Sequence, residues 1–171
     1  KTIPICINDD QIVIIEGIHA LNEKITNLIP RNRKYKIYIS PFTPMGIDHH
    51  NRIPTTDARM LRRIVRDSRT RGYTASDTLK MWKKIREGEE KWIYPYQQEA
   101  DATFNSALLY ELAVIRAQIM PVLEQVPERE PEYAEASRLR KFLKYFVPVP
   151  GDQVPPTSLL REFAGGSSFV Y

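Results

Sequence analysis

Apolar residues fall into runs whose period changes along the chain, and those periods predict the elements. Residues 12–18 read IVIIEGI, β-branched and continuously apolar up to Glu16. That is the pattern of a strand buried on both faces. Leu21, Ile25 and Leu28 follow at helical spacing, and Pro30 ends that helix. Residues 34–40 predict a second strand. Tyr35, Ile37 and Ile39 alternate there with Lys34, Lys36 and Tyr38, so one face is expected to be wetter. Three prolines and a glycine make PFTPMGIDHHNRIPTTD a loop.

A helix is predicted next, capped by Thr56 or Asp57 and stopped by Gly72. Met60, Leu61, Ile64, Val65 and Ser68 form its inward stripe, which leaves the arginines on the remaining faces. A further helix starts near Ser76 with Leu79, Trp82 and Ile85 inward, and Pro95 bounds that region. DATFNSA (residues 101–107) reads as a short third strand or as a helix extension. Leu108, Leu112, Ile115 and Ile119 mark a helix interrupted by Pro121. Leu139, Phe142, Leu143 and Phe146 mark a last long helix. PVPGDQVPP is an irregular linker, and SLLREFAGG a short terminal helix. The order of elements predicts an α/β fold, a parallel sheet flanked by helices. Three strands are few for such a sheet, and each needs neighbours. A chain that starts KTIPICIND is accordingly expected to be part of something longer.

Charge sharpens this picture. Residues 57–72 (DARMLRRIVRDSRTRG) hold six arginines, Arg59, Arg62, Arg63, Arg66, Arg69 and Arg71, against two aspartates, Asp57 and Asp67. That local excess of four positive charges equals the net charge of +4 of the whole chain. Only Arg63 has an acid four residues on, at Asp67. Arginine forks favour phosphate or carboxylate. The pattern reads either as a solvated helix face or as a lid over a polyphosphate, where arginines stabilise charge that develops during phosphoryl transfer. Nucleic acid is the other obvious anion, but the segment lacks interleaved aromatics for stacking bases.

The remaining candidates are weaker. Glu16 ends an apolar strand, where in open α/β sheets ligands bind. It could hold Mg²⁺, directly or through water, or cap the next helix. Asp48, His49 and His50 read as loop structure or substrate contact rather than a metal site, because no second cluster accompanies them. His19, Trp82 and Trp92 read as packing, and Gly165–Gly166 as a flexible tail. One cysteine, Cys6, excludes an intramolecular disulfide and fits a reducing, cytoplasmic setting. It reads as a small buried or edge residue. No apolar run reaches membrane-spanning length. No GxxxxGK[ST] phosphate loop occurs in the chain.

Taken together, EGIHAL at residues 16–21, an intervening strand, and RMLRRIVRDSRTRG at residues 59–72 resemble the uridine kinase and phosphoribulokinase family of P-loop kinases. EEKWIYPYQQEADATFNSALLYELAV and LLREFAGGSSF are similar to the C-terminal part of long bacterial nucleoside kinase-like proteins. In those, regions similar to the TGS and editing domains of threonyl-tRNA synthetase precede the kinase domain. The resemblance implies a partial P-loop kinase fold that lacks the N-terminal P-loop strand and carries extra C-terminal helices. It divides the chain into kinase core at 1–126, with the arginine lid helix at 57–72, and a helical extension at 127–171. It implies ATP and Mg²⁺ as cofactors and a nucleoside-like hydroxyl as phosphate acceptor. Glu16 corresponds to the acid at the Walker-B-like strand end, Arg63, Arg66 and Arg71 to the lid arginines, and Asp67 to the acid that stabilises the helix. Tyr73 stands where uridine kinases commonly have an arginine that contacts the nucleoside, and Met81 where they commonly have a glutamine. The strand at 12–18 and the strand at 34–40 are expected to be separated by a missing central strand, so direct pairing between them would contradict this reading. Activity of the chain alone is not expected. The alternatives are a module that binds phosphate or RNA without catalysis, and a homo-oligomerisation domain.

Overall fold

The computed structural model describes residues 4, 6–8 and 10–170. Its order is α1 (Glu23–Thr26), β1 (Ile37–Ser40), α2 (Thr55–Thr70), α3 (Ala75–Trp92), β2 (Ala102–Asn105), α4 (Glu111–Glu124), α5 (Tyr133–Leu143) and α6 (Leu160–Ala164), with short 3₁₀ turns between some of them. The fold is α/β, as expected, and the third-strand reading of DATFNSA is the one realised. β1 and β2 pair in parallel, with Ile37 opposite Ala102 and Ser40 opposite Asn105.

The helices carry the core. α2 packs on α3, α4 and α6, and α4 packs on α5. Leu61 and Ile64 of α2 meet Leu112, Ile115, Ile119 and Leu123 of α4, Leu139 and Leu143 of α5, and Leu160 of α6 in one cluster, all fully buried. Burying a side chain of this kind is worth about 1.5–3 kcal/mol. The predicted stripe of α2 is therefore its packing face, with three charged additions, Asp57, Arg62 and Asp67, that its periodicity did not place there.

Cap chemistry differs from the expectation at α2. Its N-cap is Pro54, which makes no side-chain cap, and neither Thr56 nor Asp57 caps it. Asp57 instead accepts two hydrogen bonds from Arg138 of α5, at 2.7 and 2.9 Å. Glu135 and Asp57 together hold the Arg138 guanidinium well above its ordinary pKa. Gly72 does stop α2, at a φ of 68° that side-chain-bearing residues rarely adopt. Thr74 then starts α3 with a capping box. Its hydroxyl accepts from the Asp77 backbone N–H at 3.1 Å, and the Asp77 carboxylate accepts from the Thr74 N–H at 3.0 Å. α4 runs through Pro121 rather than breaking there. The proline sits in the last turn, where only the bond to the Ala117 carbonyl is lost.

Three expectations fail where an element needs a neighbour. Residues 12–18 form no strand; Ile12 and Ile14 are almost fully exposed. Among the described residues the segment pairs with nothing, and it is not hydrogen-bonded to β1. The helix over residues 21–28 shrinks to one turn, with Ile25 and Leu28 exposed, because no layer covers them. On β1 the faces are reversed: Lys36, Tyr38 and Ser40 are buried, whereas Tyr35, Ile37 and Ile39 are exposed, as is Phe104 beside Ile39. Lys36 tolerates burial because its ammonium pairs with Glu23 and Glu99 and donates to the Leu21 carbonyl, while its stem packs.

Glu23 ties α1 to the start of β1 through Lys34 and Lys36. Hydrogen bonds from Lys34 and then Lys36 lower its pKa from 4.5 to about 2. The folded-state value lies below the unfolded one, so this contribution is present above about 4.5 and is lost as pH falls towards 2. In urea melts across that acid range, the wild type is expected to lose stability more steeply than Glu23→Gln. Parallel curves would refute the link.

Candidate functional site

The six arginines of α2 separate into two sets. Arg59, Arg62 and Arg69 serve the framework. Arg59 pairs with Glu89 of α3 and donates to the Tyr94 hydroxyl at 3.3 Å. Glu89 is buried and also accepts from Tyr94 at 3.1 Å. Arg62 is buried. Its Nε donates to Glu111 at 3.1 Å, its Nη2 pairs with the same carboxylate, and it donates to the Ser106 carbonyl at 2.7 Å. Arg69 donates to backbone carbonyls of α6. The arginines do not simply occupy the outer faces, since acids on other elements neutralise two of them.

Arg63, Arg66 and Arg71 behave differently. All three converge on one carboxylate, Asp67, at 3.2, 3.4 and 3.1 Å. Asp67 is fully buried, and the three guanidiniums lie around it from about a quarter to about a half exposed. One negative charge against three leaves an excess of two at the surface. Geometry reinforces the shortfall: Arg63 Nε and Asp67 Oδ2 are close but not aligned as a hydrogen bond, so each lacks one. Burial holds the Arg63 pKa below its ordinary value; Asp67 opposes that shift, and like-charged Arg66 and Arg71 add to it. An added anion would accept from the exposed guanidinium donors and balance the excess positive charge.

Beside this cluster lies a cleft of about 180 Å³, lined by Arg59, Arg62, Arg63, Arg66 and Glu89 together with Pro41, Trp82, Ile85 and Phe163. Arg71 and Tyr73 do not line it. They stand at the turn after α2, with Tyr73 partly exposed and its N–H held by the Asp67 carbonyl at 3.2 Å. Half of α2, eight of its sixteen residues, is buried. The arginine helix is thus part of the framework, and movement as an independent lid would strip the core.

Other candidates fall outside this site. Glu16 lies on the exposed 12–18 segment and makes no hydrogen bond or ion pair among the described residues. Asp48 organises its own loop, accepting from the N–H groups of His50 and Asn51 at 2.8 and 2.7 Å. The hydrogen bond from the Asn51 side chain, and then these two, lower its pKa. His19 packs edge-on against Trp92, which is itself partly exposed. Cys6 is exposed rather than buried. Sequence reasoning missed Glu89, Glu111 and Phe163. For the two glutamates the available signal was an acid within or at the head of an apolar helical run; for Phe163 there was none.

Comparison with known proteins bears on what an under-paired arginine cluster serves. Residues 2–111 match the phosphoribulokinase / uridine kinase family. The chain belongs to this family. No solved structure matches it. Membership assigns the protein to a family of phosphotransferases and implies ATP and, typically, Mg²⁺. The kinase-family chain fits the first of these, because Arg63, Arg66 and Arg71 present uncompensated donors suited to phosphate oxygens. For the second, no group of three or more His, Cys, Asp or Glu could hold a metal ion among the described residues; Mg²⁺ at such sites is held by one or two carboxylates together with the phosphates of the substrate. Among the described residues, no helix is long and apolar enough to cross a membrane.

Proposed function

We propose that this chain is the phosphate-handling C-terminal portion of an ATP-dependent kinase whose acceptor is the hydroxyl of a nucleoside-like small molecule. The observation that carries the reading is the convergence of Arg63, Arg66 and Arg71 on a single buried carboxylate. Asp67 gathers the guanidiniums and neutralises one, which leaves preorganised donors for a charge that grows during phosphoryl transfer. Arg63 and Arg66, beside the cleft, hold the oxygens of the transferring group. Arg71 and Tyr73 stand at the acceptor end. When bound, ATP supplies the phosphoryl group. Glu16 is the residue nearest in character to a Mg²⁺ partner, and a metal site there needs further ligands from outside the described residues.

A phosphate loop is absent from the sequence, so the cradle for ATP comes from elsewhere in the working protein. The unpaired apolar run at 12–15 and the uncovered Ile37, Ile39 and Phe104 support that arrangement. The isolated chain is expected to form no ADP from ATP and uridine in a coupled assay. A longer form carrying a GxxxxGK[ST] loop is expected to form it, and Arg66→Ala in that form to lower the rate about 100-fold or more. Turnover by the isolated chain would contradict the proposal.

A further inference from the structure

Phe163 lies beyond the family-matched residues, yet its ring lines the arginine cleft. Its placement is over-determined. Leu160 anchors α6 in the core, fully buried. The carbonyls released at the end of α6 are gripped from two helices. Arg69 donates to Phe163 O at 3.1 Å and to Glu162 O at 2.5 Å, and Gln118 donates to Ala164 O at 3.0 Å. A guanidinium at a helix C-terminus also complements its partial negative charge. Gly165 then turns the chain at a φ of 87°, and a Cβ there would lie 3.4 Å from the Arg69 guanidinium. This tail segment is docked rather than free. On the cleft side, the Arg62 guanidinium sits over the Phe163 ring at 5.1 Å from its centroid. Glu111 and Ser106 already fix that guanidinium, so the ring rests on a rigid surface.

We propose that Phe163 is a positioning residue of the phosphate site, held in place by Arg69. Its ring walls the cleft beside Arg62, Arg63 and Arg66 and keeps water from the guanidiniums. Charge pairing strengthens as the surrounding water is displaced, so the wall raises the affinity of the arginines for a polyphosphate. Arg69, the one α2 arginine that spends its donors on carbonyls of the C-terminal segment, thereby acts on the site through α6. This inference rests on the phosphate reading of the cleft.

The test is calorimetric titration of the full chain with tripolyphosphate, in wild type, Phe163→Ala, Phe163→Tyr and Arg69→Gln. Phe163→Ala is expected to weaken binding about tenfold and to make it more sensitive to salt, because an open cleft is screened. Phe163→Tyr restores both properties. Arg69→Gln shifts both in the direction of Phe163→Ala, and it decides the matter if Phe163→Ala does not fold. Unchanged affinity and salt dependence in the folded variants overturn this inference and leave the phosphate site standing. No binding by the wild type overturns the phosphate site and this inference with it.

Discussion

Glu111→Ala is expected to destabilise the protein by about 3–5 kcal/mol, the cost of stranding a buried charge. Glu111 is fully buried, and it performs two tasks at once. It neutralises Arg62, itself buried, and it accepts from the Leu108 N–H at 2.9 Å, which satisfies a free donor just ahead of α4. Alanine removes both and leaves the Arg62 guanidinium with the Ser106 carbonyl and hydroxyl as its hydrogen-bond acceptors. The pair joins α2 to α4, the two helices that contribute most to the core. A domain of ordinary stability has about 5–15 kcal/mol in total, so the change takes a large share of it. The double variant Arg62→Met/Glu111→Met removes both charges and is expected to lose much less. Urea denaturation compares the three proteins. Equal stability of Glu111→Ala and wild type would show that the buried pair contributes nothing.

Much of the fold is legible where an element carries its own periodicity and its own ends. The stripe from Met60 to Val65, the stop at Gly72 and the apolar spacing of α4 and α5 all belong to this class. What was not legible depends on neighbours. The run IVII has a strand's composition, yet a strand exists only when another one pairs with it. Lys36 looks like a solvent residue until Glu23, Glu99 and a carbonyl are brought to its ammonium. Pro121 looks like an interruption because sequence does not reveal that it falls in a last turn.

The site divides in the same way. Asp67 sits four residues from both Arg63 and Arg71 and adjacent to Arg66, so one turn of helix on either side gathers the cluster. That spacing is local, but in the sequence it paired only Arg63 with Asp67, and the resemblance to the kinase family is what set Arg63, Arg66 and Arg71 apart. The framework roles of Arg59 and Arg62 come from partners 30 and 49 residues away in sequence. No helix-surface rule could pair them. Phe163 is further still, and only the folded chain shows that a C-terminal ring walls a cleft built on α2.

The second large effect concerns the arginines that remain under-paired. Removing all three would strand Asp67 in the core, so Arg66→Ala/Arg71→Ala is the informative variant, because Arg63 stays on the carboxylate. It removes the excess charge of two. Each charge-assisted hydrogen bond to phosphate is worth about 1.5–3 kcal/mol, so the two together are expected to weaken polyphosphate binding by about 100-fold or more. Lys84→Ala, an exposed charge on α3 that does not line the cleft, is the matching control. The direct measurement is titration of the full chain with tripolyphosphate at low salt. The account predicts saturable binding by wild type and Lys84→Ala and its near-complete loss in Arg66→Ala/Arg71→Ala. Equal binding by all three proteins, or none by the wild type, would contradict it.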